Sequence, residues 1–431
     1  MKKNKFIKST IILVIGGFFT KVLGMMIKIV ITRIIGTEGI GLYSLIIPTF
    51  LLLNTIAQLG LPTALNILIS KDNLNNKQLV TTACLISLFI DCIIFVILMI
   101  FGNTISLNLL VEKRCTLGII SIAFVLPFIS VSNMLRSYFF GKQRMYPHVI
   151  TNILEDIVRL ILIIIFLPFF LTKGIEVAIA FILLTNIASE LTSILIFIFL
   201  LPNFKITKQE LKPQKKILKE LFSICLPTTG SRLIGSIGYF LEPIILTYVL
   251  IKVGYSNKFI INEYGIINGY VMPLILLPSF FTSALSNALI PIVSNNYEKK
   301  KYHLIKRKIK QAICYSLLIG IPATFIFLTI PEIPLKYIYN TQLGINYIKF
   351  LAPICLLHYI QAPISSSLQA MGKAKISLKG TLYGMIIRTL LLFTLSYLKI
   401  GIWGLILATS SGIIFVTLFD LYNVKKTLNN N

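Results

Sequence analysis

Thr20-Lys21-Val22-Leu23-Gly24 and, 211 residues further on, Ser231-Arg232-Leu233-Ile234-Gly235 repeat the order hydroxyl, cation, two aliphatics and glycine, each inside a long apolar run. Other pairs follow in the same sequence order. Glu38 and Pro48 answer Glu263 and Pro273, Phe124 and Pro127 answer Phe350 and Pro353, and Gly141-Lys142 with Arg159 answers Gly372-Lys373 with Arg388. Ordered matches of this kind are the signature of a duplicated architecture.

Working outward from the repeat, apolar runs bounded by polar, Pro or Gly punctuation predict spans near 9–33, 40–69, 79–101, 116–140, 147–171 and 176–201. A second set falls near 220–251, 264–292, 310–330, 344–370, 377–397 and 400–423. A bilayer core of about 30 Å takes roughly 20 residues per helix, so the chain is filled by about a dozen spans and their connections. The expectation is an all-α polytopic membrane protein with about 12 transmembrane helices: a six-helix lobe over 1–201, a basic cytoplasmic connector over 202–219 and a second six-helix lobe over 220–431. Six is even, so both copies enter the membrane from one side, which relates them by a pseudo-two-fold axis along the membrane normal.

Composition agrees. Of 431 residues, 56% are hydrophobic and 13% charged, and the mean hydropathy is +0.86, far above that of a soluble domain. The net charge of +26 invites a nucleic-acid reading, but its placement opposes one. With the N-terminus inside, 26 of the 41 basic residues fall in cytoplasmic connections, including Lys205 to Lys219 and Lys299 to Lys310, against 8 in the opposite ones. That asymmetry is the positive-inside rule and predicts both termini in the cytoplasm. No nucleic-acid partner is expected; membrane lipids are. The first apolar run reads as a retained helix, since Lys21 interrupts it and no small-residue cleavage site follows.

Ionisable groups inside hydrocarbon cost a few kcal/mol each and are functional candidates by default. Lys21 sits about 18 Å into its span at 1.5 Å per residue, beyond the reach of a snorkelling lysine. Gly17, Lys21, Gly24 and Lys28 share one helical face. Small residues on such a face either admit a neighbouring helix or leave room for a ligand. Arg232, Ser236 and Tyr239 form a comparable face, with Glu242 close enough to neutralise the arginine. Cations at that depth suit an anionic head group such as a diphosphate, so Lys21, Lys28, Arg232, Ser236 and Tyr239 are the substrate-binding candidates. Glu242, Asp91, Glu190, Glu155 and Arg159 are the candidates for coupling or ion pairing. Glu155 and Arg159 are spaced i, i+4 as a self-neutralised pair, whereas Asp91 and Glu190 have no evident partner in sequence and would suit a coupling cation equally.

The six cysteines show no CxxC spacing and read as small buried hydrophobes. The three histidines are too far apart to form a metal site, so no metal is expected. No P-loop, GxSxG elbow or HExxH is present, and no enzymatic activity is expected.

The stretch Thr20 to Gly24, with Lys28, Arg33, Gly36, Glu38-Gly39, Gly41, Tyr43, Pro48 and Gly60-Leu61-Pro62, resembles the opening of the stage V sporulation protein B and polysaccharide flippase family. Phe140-Gly141-Lys142 through Glu155 and Arg159 resembles it too. That family belongs to the multidrug/oligosaccharidyl-lipid/polysaccharide superfamily and includes relatives of the lipid II flippases. The resemblance implies a two-lobed fold, alternating access, and export of an undecaprenyl-diphosphate-linked saccharide for the spore cortex. It also implies basic cavity residues on the first helix, here Lys21 and Lys28, with lysine where arginine is usual. The implied partners are a lipid-linked oligosaccharide and cell-envelope synthesis enzymes, and the implied location is the bacterial cell membrane. No cofactor is implied beyond a coupling Na+ or H+. Members commonly carry fourteen helices, two more than are read here. A cation-coupled multidrug exporter and a non-transporting envelope scaffold are the alternative readings.

Overall fold

A computed structural model describes residues 2–71, 74–201 and 214–429, with side chains from Ile15 onward except Pro227 and Ser231. The N-terminal lysines' side chains and most of the basic connector, 202–213, lie outside these. The described residues are helical, without strands. In order, the helices are α1 (Lys2–Gln58), α2 (Leu61–Lys71), α3 (Asn76–Thr104), α4 (Thr116–Gly141), α5 (Met145–Thr172), α6 (Ile175–Leu200) and α7 (Lys215–Lys252). There follow α8 (Asn257–Gly265), α9 (Met272–Ile275), α10 (Ser279–Glu298), α11 (Tyr302–Thr329), α12 (Glu332–Tyr339), α13 (Ile345–Ala370), α14 (Ala374–Ser396) and α15 (Trp403–Asn429).

Among the described residues nine helices are long and apolar enough to cross a membrane, ten with the bent pair α8–α9 and α10. Two features bring this to the dozen expected. The 57-residue α1 kinks at Gly36, where φ is 67°, so it supplies the first span and most of the second. Helix α5 is as long as its neighbours but carries Glu155, Asp156 and Arg159.

Two expected spans are interrupted. The run 40–69 breaks at Leu59-Gly60, both with positive φ, and restarts as α2. The run 264–292 passes through a π-helical turn, Ile266–Val271, then bends by 54° between α9 and α10. Breaking a helix inside a membrane frees carbonyls that must find donors. Here the buried Tyr359 hydroxyl donates to the carbonyl of Ile275 at 2.6 Å. Tyr359→Phe should therefore cost about 1–3 kcal/mol of stability, the penalty for an unsatisfied buried acceptor, measurable as a lower unfolding midpoint in detergent.

The chain forms two compact units, Met1–Pro243 and Ile244–Asn431. The first part of α7 belongs to the earlier unit because Ile217, Leu221 and Cys225 bury themselves among Leu61, Leu65, Leu79, Phe139 and Phe197. Gly60 makes that docking possible. A Cβ there would lie 2.4 Å from the Thr228 hydroxyl and 3.2 Å from the Cys225 carbonyl, and its φ is +64°. Gly60→Ala should therefore destabilise the first unit by about 2–4 kcal/mol, combining left-handed strain with overpacking. Adding Thr228→Ala should recover only part of the overpacking share in the same unfolding measurement, since the Thr229 hydroxyl at 3.1 Å and the Cys225 carbonyl remain. In the second unit, Leu289, Val293, Ile305, Ile309, Leu368 and Val424 form the corresponding core.

The repeat is visible in how each unit ties its second span to its fourth. Glu38 accepts from Arg114, just before α4, at 2.5 Å, with Glu112 holding the same guanidinium at 2.9 Å. Glu263, its counterpart, accepts from the hydroxyl of Tyr347 in the first turn of α13 at 2.5 Å. The cysteines are all free, but only Cys115, Cys225 and Cys355 are buried; Cys92 and Cys314 are exposed and Cys84 is half-buried, which corrects their reading as uniformly buried. Helix periodicity turns Cys92 and Cys314 toward the outer face of their helices, where the medium is itself apolar.

Candidate functional site

The two glycines flanking Lys21 decide between the readings left open for its helix face. Gly16, one residue away, presses on α5, since a Cβ there would fall 2.3 Å from Val149. Gly17 and Gly24 have nothing within 4 Å of the corresponding position. The stripe is therefore not a seam between packed helices of this unit; it is an open wall on which Lys21 is exposed and Lys28 half-buried. Thr20 and Thr32 return their hydroxyls to the carbonyls of Gly17 and Lys28, which keeps them from competing for a ligand on that wall.

Helix α7 repeats the arrangement. Gly230 and Gly235 also face open space, and Arg232 between them is exposed, its Nη2 donating to the Thr63 hydroxyl at 3.1 Å. Ser236 shares a hydrogen bond of 2.9 Å with Thr55. Tyr239 is 39% exposed and Glu242 is buried, so the carboxylate that might have neutralised Arg232 turns inward while the guanidinium turns out. Arg232 lies in the same compact unit as Lys21. Sequence reading missed Asn54, Thr55 and Thr63. The available signal was a run of amides and hydroxyls inside an apolar segment, with Gln58 bonded to Asn54 at 2.7 Å.

Behind this wall α4, α5 and α6 bury a charged network. The i, i+4 pair forms as expected, with Arg159 Nη2 3.4 Å from Glu155 Oε1. Sequence reading missed Arg136 of α4, which reaches the other oxygen at 3.0 Å, and Ser193 of α6, which donates to it at 3.0 Å. One carboxylate thus holds two guanidinium groups. Glu190 lies in the field of all three and beside Ser132, but its Oε2 has no hydrogen-bond donor. Asp91 is a separate case on the other side of α4. It lies near Ser130, and its carboxylate has no donor within bonding distance. Ser130 and Ser132 are two residues apart, about 200° around a helix, so the two carboxylates flank α4.

The second unit contains a carboxylate that sequence reading missed. Asp420 of α15 is fully buried and accepts a hydrogen bond from Ser365. Its signal was the repeat itself, since the offsets 231 (Gly141 to Gly372) and 229 (Arg159 to Arg388) place Glu190 opposite 419 to 421. Among the described residues no group of three or more His, Cys, Asp or Glu side chains is placed to hold a metal. His148 stacks obliquely on Phe140 at 4.5 Å, and His358 bonds Gln361 at 3.2 Å.

Comparisons with known proteins agree with this architecture. The profile of the polysaccharide biosynthesis protein family matches residues 6–297, and that of the MatE family residues 236–394. The chain is 34% identical to stage V sporulation protein B of Bacillus subtilis, over 99% of this chain and 85% of that one. It is 22% identical to the lipid II flippase MurJ of the same organism, over 98% of this chain and 83% of that one. Among solved structures, an inward-facing multidrug resistance MATE family transporter of the MOP superfamily superposes with a TM-score of 0.74 at 16% identity, covering 95% of each chain. A MOP superfamily transporter from Pyrococcus furiosus, whose binding pocket is described as reversed in polarity, gives 0.66 at 17% identity over 98% of this chain and 96% of that one.

Proposed function

The chain belongs to the polysaccharide biosynthesis protein family, and on that premise we propose that it is a transporter that flips an undecaprenyl-diphosphate-linked saccharide, a lipid II-like peptidoglycan precursor, from the cytoplasmic to the outer leaflet of the bacterial cell membrane. Its destination would be the spore cortex. The reading is carried by one observation: Lys21 and Arg232 are each exposed between glycines whose missing side chains would meet open space. Two cations on open walls bind a diphosphate through charge-assisted hydrogen bonds, the arginine offering two in parallel. The polyprenyl tail remains in lipid, and alternating access carries the head group across.

No ATP is needed in this scheme. With both termini cytoplasmic, an inside-negative potential favours outward movement of an anion by about 2.3 kcal/mol per charge per 100 mV, and an H+ or Na+ gradient adds to that drive. Envelope-synthesis enzymes would deliver the substrate on one side and consume it on the other. The test is depletion of the protein during sporulation, followed by identification of the lipid-linked intermediate that accumulates. Accumulation of an undecaprenyl-diphosphate disaccharide peptide is expected. An unchanged lipid-linked pool, with altered drug resistance on overexpression, would overturn the assignment in favour of multidrug export.

A further inference from the structure

The last two helices of the second unit pack as an antiparallel pair. A Cβ on Gly380 would lie 2.6 Å from Phe419 and one on Gly384 2.3 Å from Val416, so these glycines let α14 ride directly on α15 and fix which residues stand level. Lys375, Lys379 and Tyr383 follow one another on α14 at i, i+4 and i+8, and Tyr422 and Lys426 stand at i and i+4 on α15. All five are exposed. With the two helices running in opposite directions at 1.5 Å per residue, Lys379 comes within about 2 Å of the level of Tyr422, and Lys375 within about 2 Å of that of Lys426. Helical rotation turns both rows to one flank of the pair, where Tyr383 meets Phe419 ring to ring at 6.2 Å. The other flank is occupied, since Asp420 accepts there from Ser365 of α13.

Beyond the cations the open flank is apolar. Ile386 and Leu390 continue the row on α14 and Leu418 continues it on α15, all exposed, Leu390 by 61% and Leu418 by 55%. An uncovered strip of this kind belongs against hydrocarbon, so the charge gathers where head groups lie, at the foot of a strip that acyl chains cover. Among the described residues none of the three lysines has a carboxylate partner. The positive-inside rule counts charges in connections and asks nothing about the face they occupy. Nor does the duplication require the arrangement. The offset of 231 puts Arg144 opposite Lys375 but His148 opposite Lys379, that histidine lies against Phe140, and α6 carries no Lys or Arg between Ile175 and Leu200.

We propose that α14 and α15 form a binding site for an anionic phospholipid of the leaflet on which the C-terminus lies. Lys375, Lys379 and Lys426 hold its phosphate, the Tyr422 hydroxyl donates to it, and the acyl chains lie along Ile386, Leu390 and Leu418. Ammonium groups on flexible stems close on a phosphate from several sides, and the phenol adds a charge-assisted hydrogen bond at the depth where tyrosine is commonly found. Near an anionic surface each lysine favours binding about fivefold, so three together give roughly a hundredfold. A zwitterionic lipid carries the same phosphate with its own cation attached and gains little. This binding is independent of what the protein transports.

The test uses the full chain with Trp403→Phe, which removes its one native tryptophan, and Leu418→Trp, which places a reporter beside the site. It is reconstituted in phosphatidylcholine vesicles with increasing amounts of phosphatidylglycerol brominated on its acyl chains. Quenching should report a preference for phosphatidylglycerol over brominated phosphatidylcholine of roughly ten- to hundredfold. Lys375→Gln, Lys379→Gln and Lys426→Gln together should abolish most of it. Lys299→Gln, Lys300→Gln and Lys301→Gln remove as much charge from the same end of the unit, where α10, α11, α13 and α15 share a core, and should leave it in place. Tyr422→Phe should weaken the preference severalfold without altering net charge, and it keeps the test decisive if the triple variant accumulates poorly. Equal quenching by the two lipids would overturn the proposal. So would a preference lost alike in both triple variants, which would make it the diffuse pull of a basic surface.

Discussion

Proteoliposomes carrying Lys21→Ala should move a fluorescent lipid II-type substrate roughly ten- to hundredfold more slowly than the parent chain, and Arg232→Ala should do the same. A hydrogen bond to a charged group contributes about 1.5–3 kcal/mol, and each 1.4 kcal/mol is about tenfold. Lys21→Arg should retain most activity, since it keeps the charge and adds donors. Gly24→Leu provides a sharper check. Nothing lies within 4 Å of a Cβ at that position, so the leucine should leave stability unchanged and still slow transport by filling the open wall beside Lys21. Undiminished flipping by both alanine variants would sink the assignment of these cations. Lost folding in Gly24→Leu would mean that the glycine stripe is a packing seam after all.

Glu155→Ala should be among the most damaging single changes for stability. The carboxylate accepts from Arg136, Arg159 and Ser193 together, and its removal leaves two guanidinium groups in the interior without a bonded carboxylate, with Glu190 and Asp156 nearby. Breaking a buried ion pair by deleting one partner costs about 3–5 kcal/mol, because the other charge stays behind unpaired. The expected result is a large drop in the unfolding midpoint in detergent and poor accumulation in the membrane. A triple variant, Glu155→Leu with Arg136→Met and Arg159→Met, removes the charges together and should recover much of the loss. If Glu155→Ala unfolds like the parent chain, the network contributes no stability and its buried charge serves function alone.

What was legible in the sequence followed from forces that act locally. Hydropathy gave the spans because hydrocarbon admits only chains that satisfy their own backbone, and the paired motifs gave the duplication because equivalent helices meet equivalent surroundings. The Glu155 and Arg159 pair was legible for the same reason, as helical geometry alone brings i and i+4 together. The breaks were harder to see. Leu59-Gly60 and the bend between α9 and α10 interrupt runs that stay apolar on average on both sides of the break, so hydropathy passes over them.

The sequence by itself determined that this is a duplicated, all-helical membrane protein, because period and polarity are properties of the chain. Only the tertiary structure decided that the glycines beside Lys21 and Arg232 are uncovered, that Arg136 joins Arg159 on Glu155, and that Asp420 is sealed with a serine for company. Those are facts about which helix lies against which face, and they depend on residues tens to hundreds of positions apart. The hydrophobic effect has no direction; it requires that faces be buried, while side-chain shape and buried polar groups select the partner.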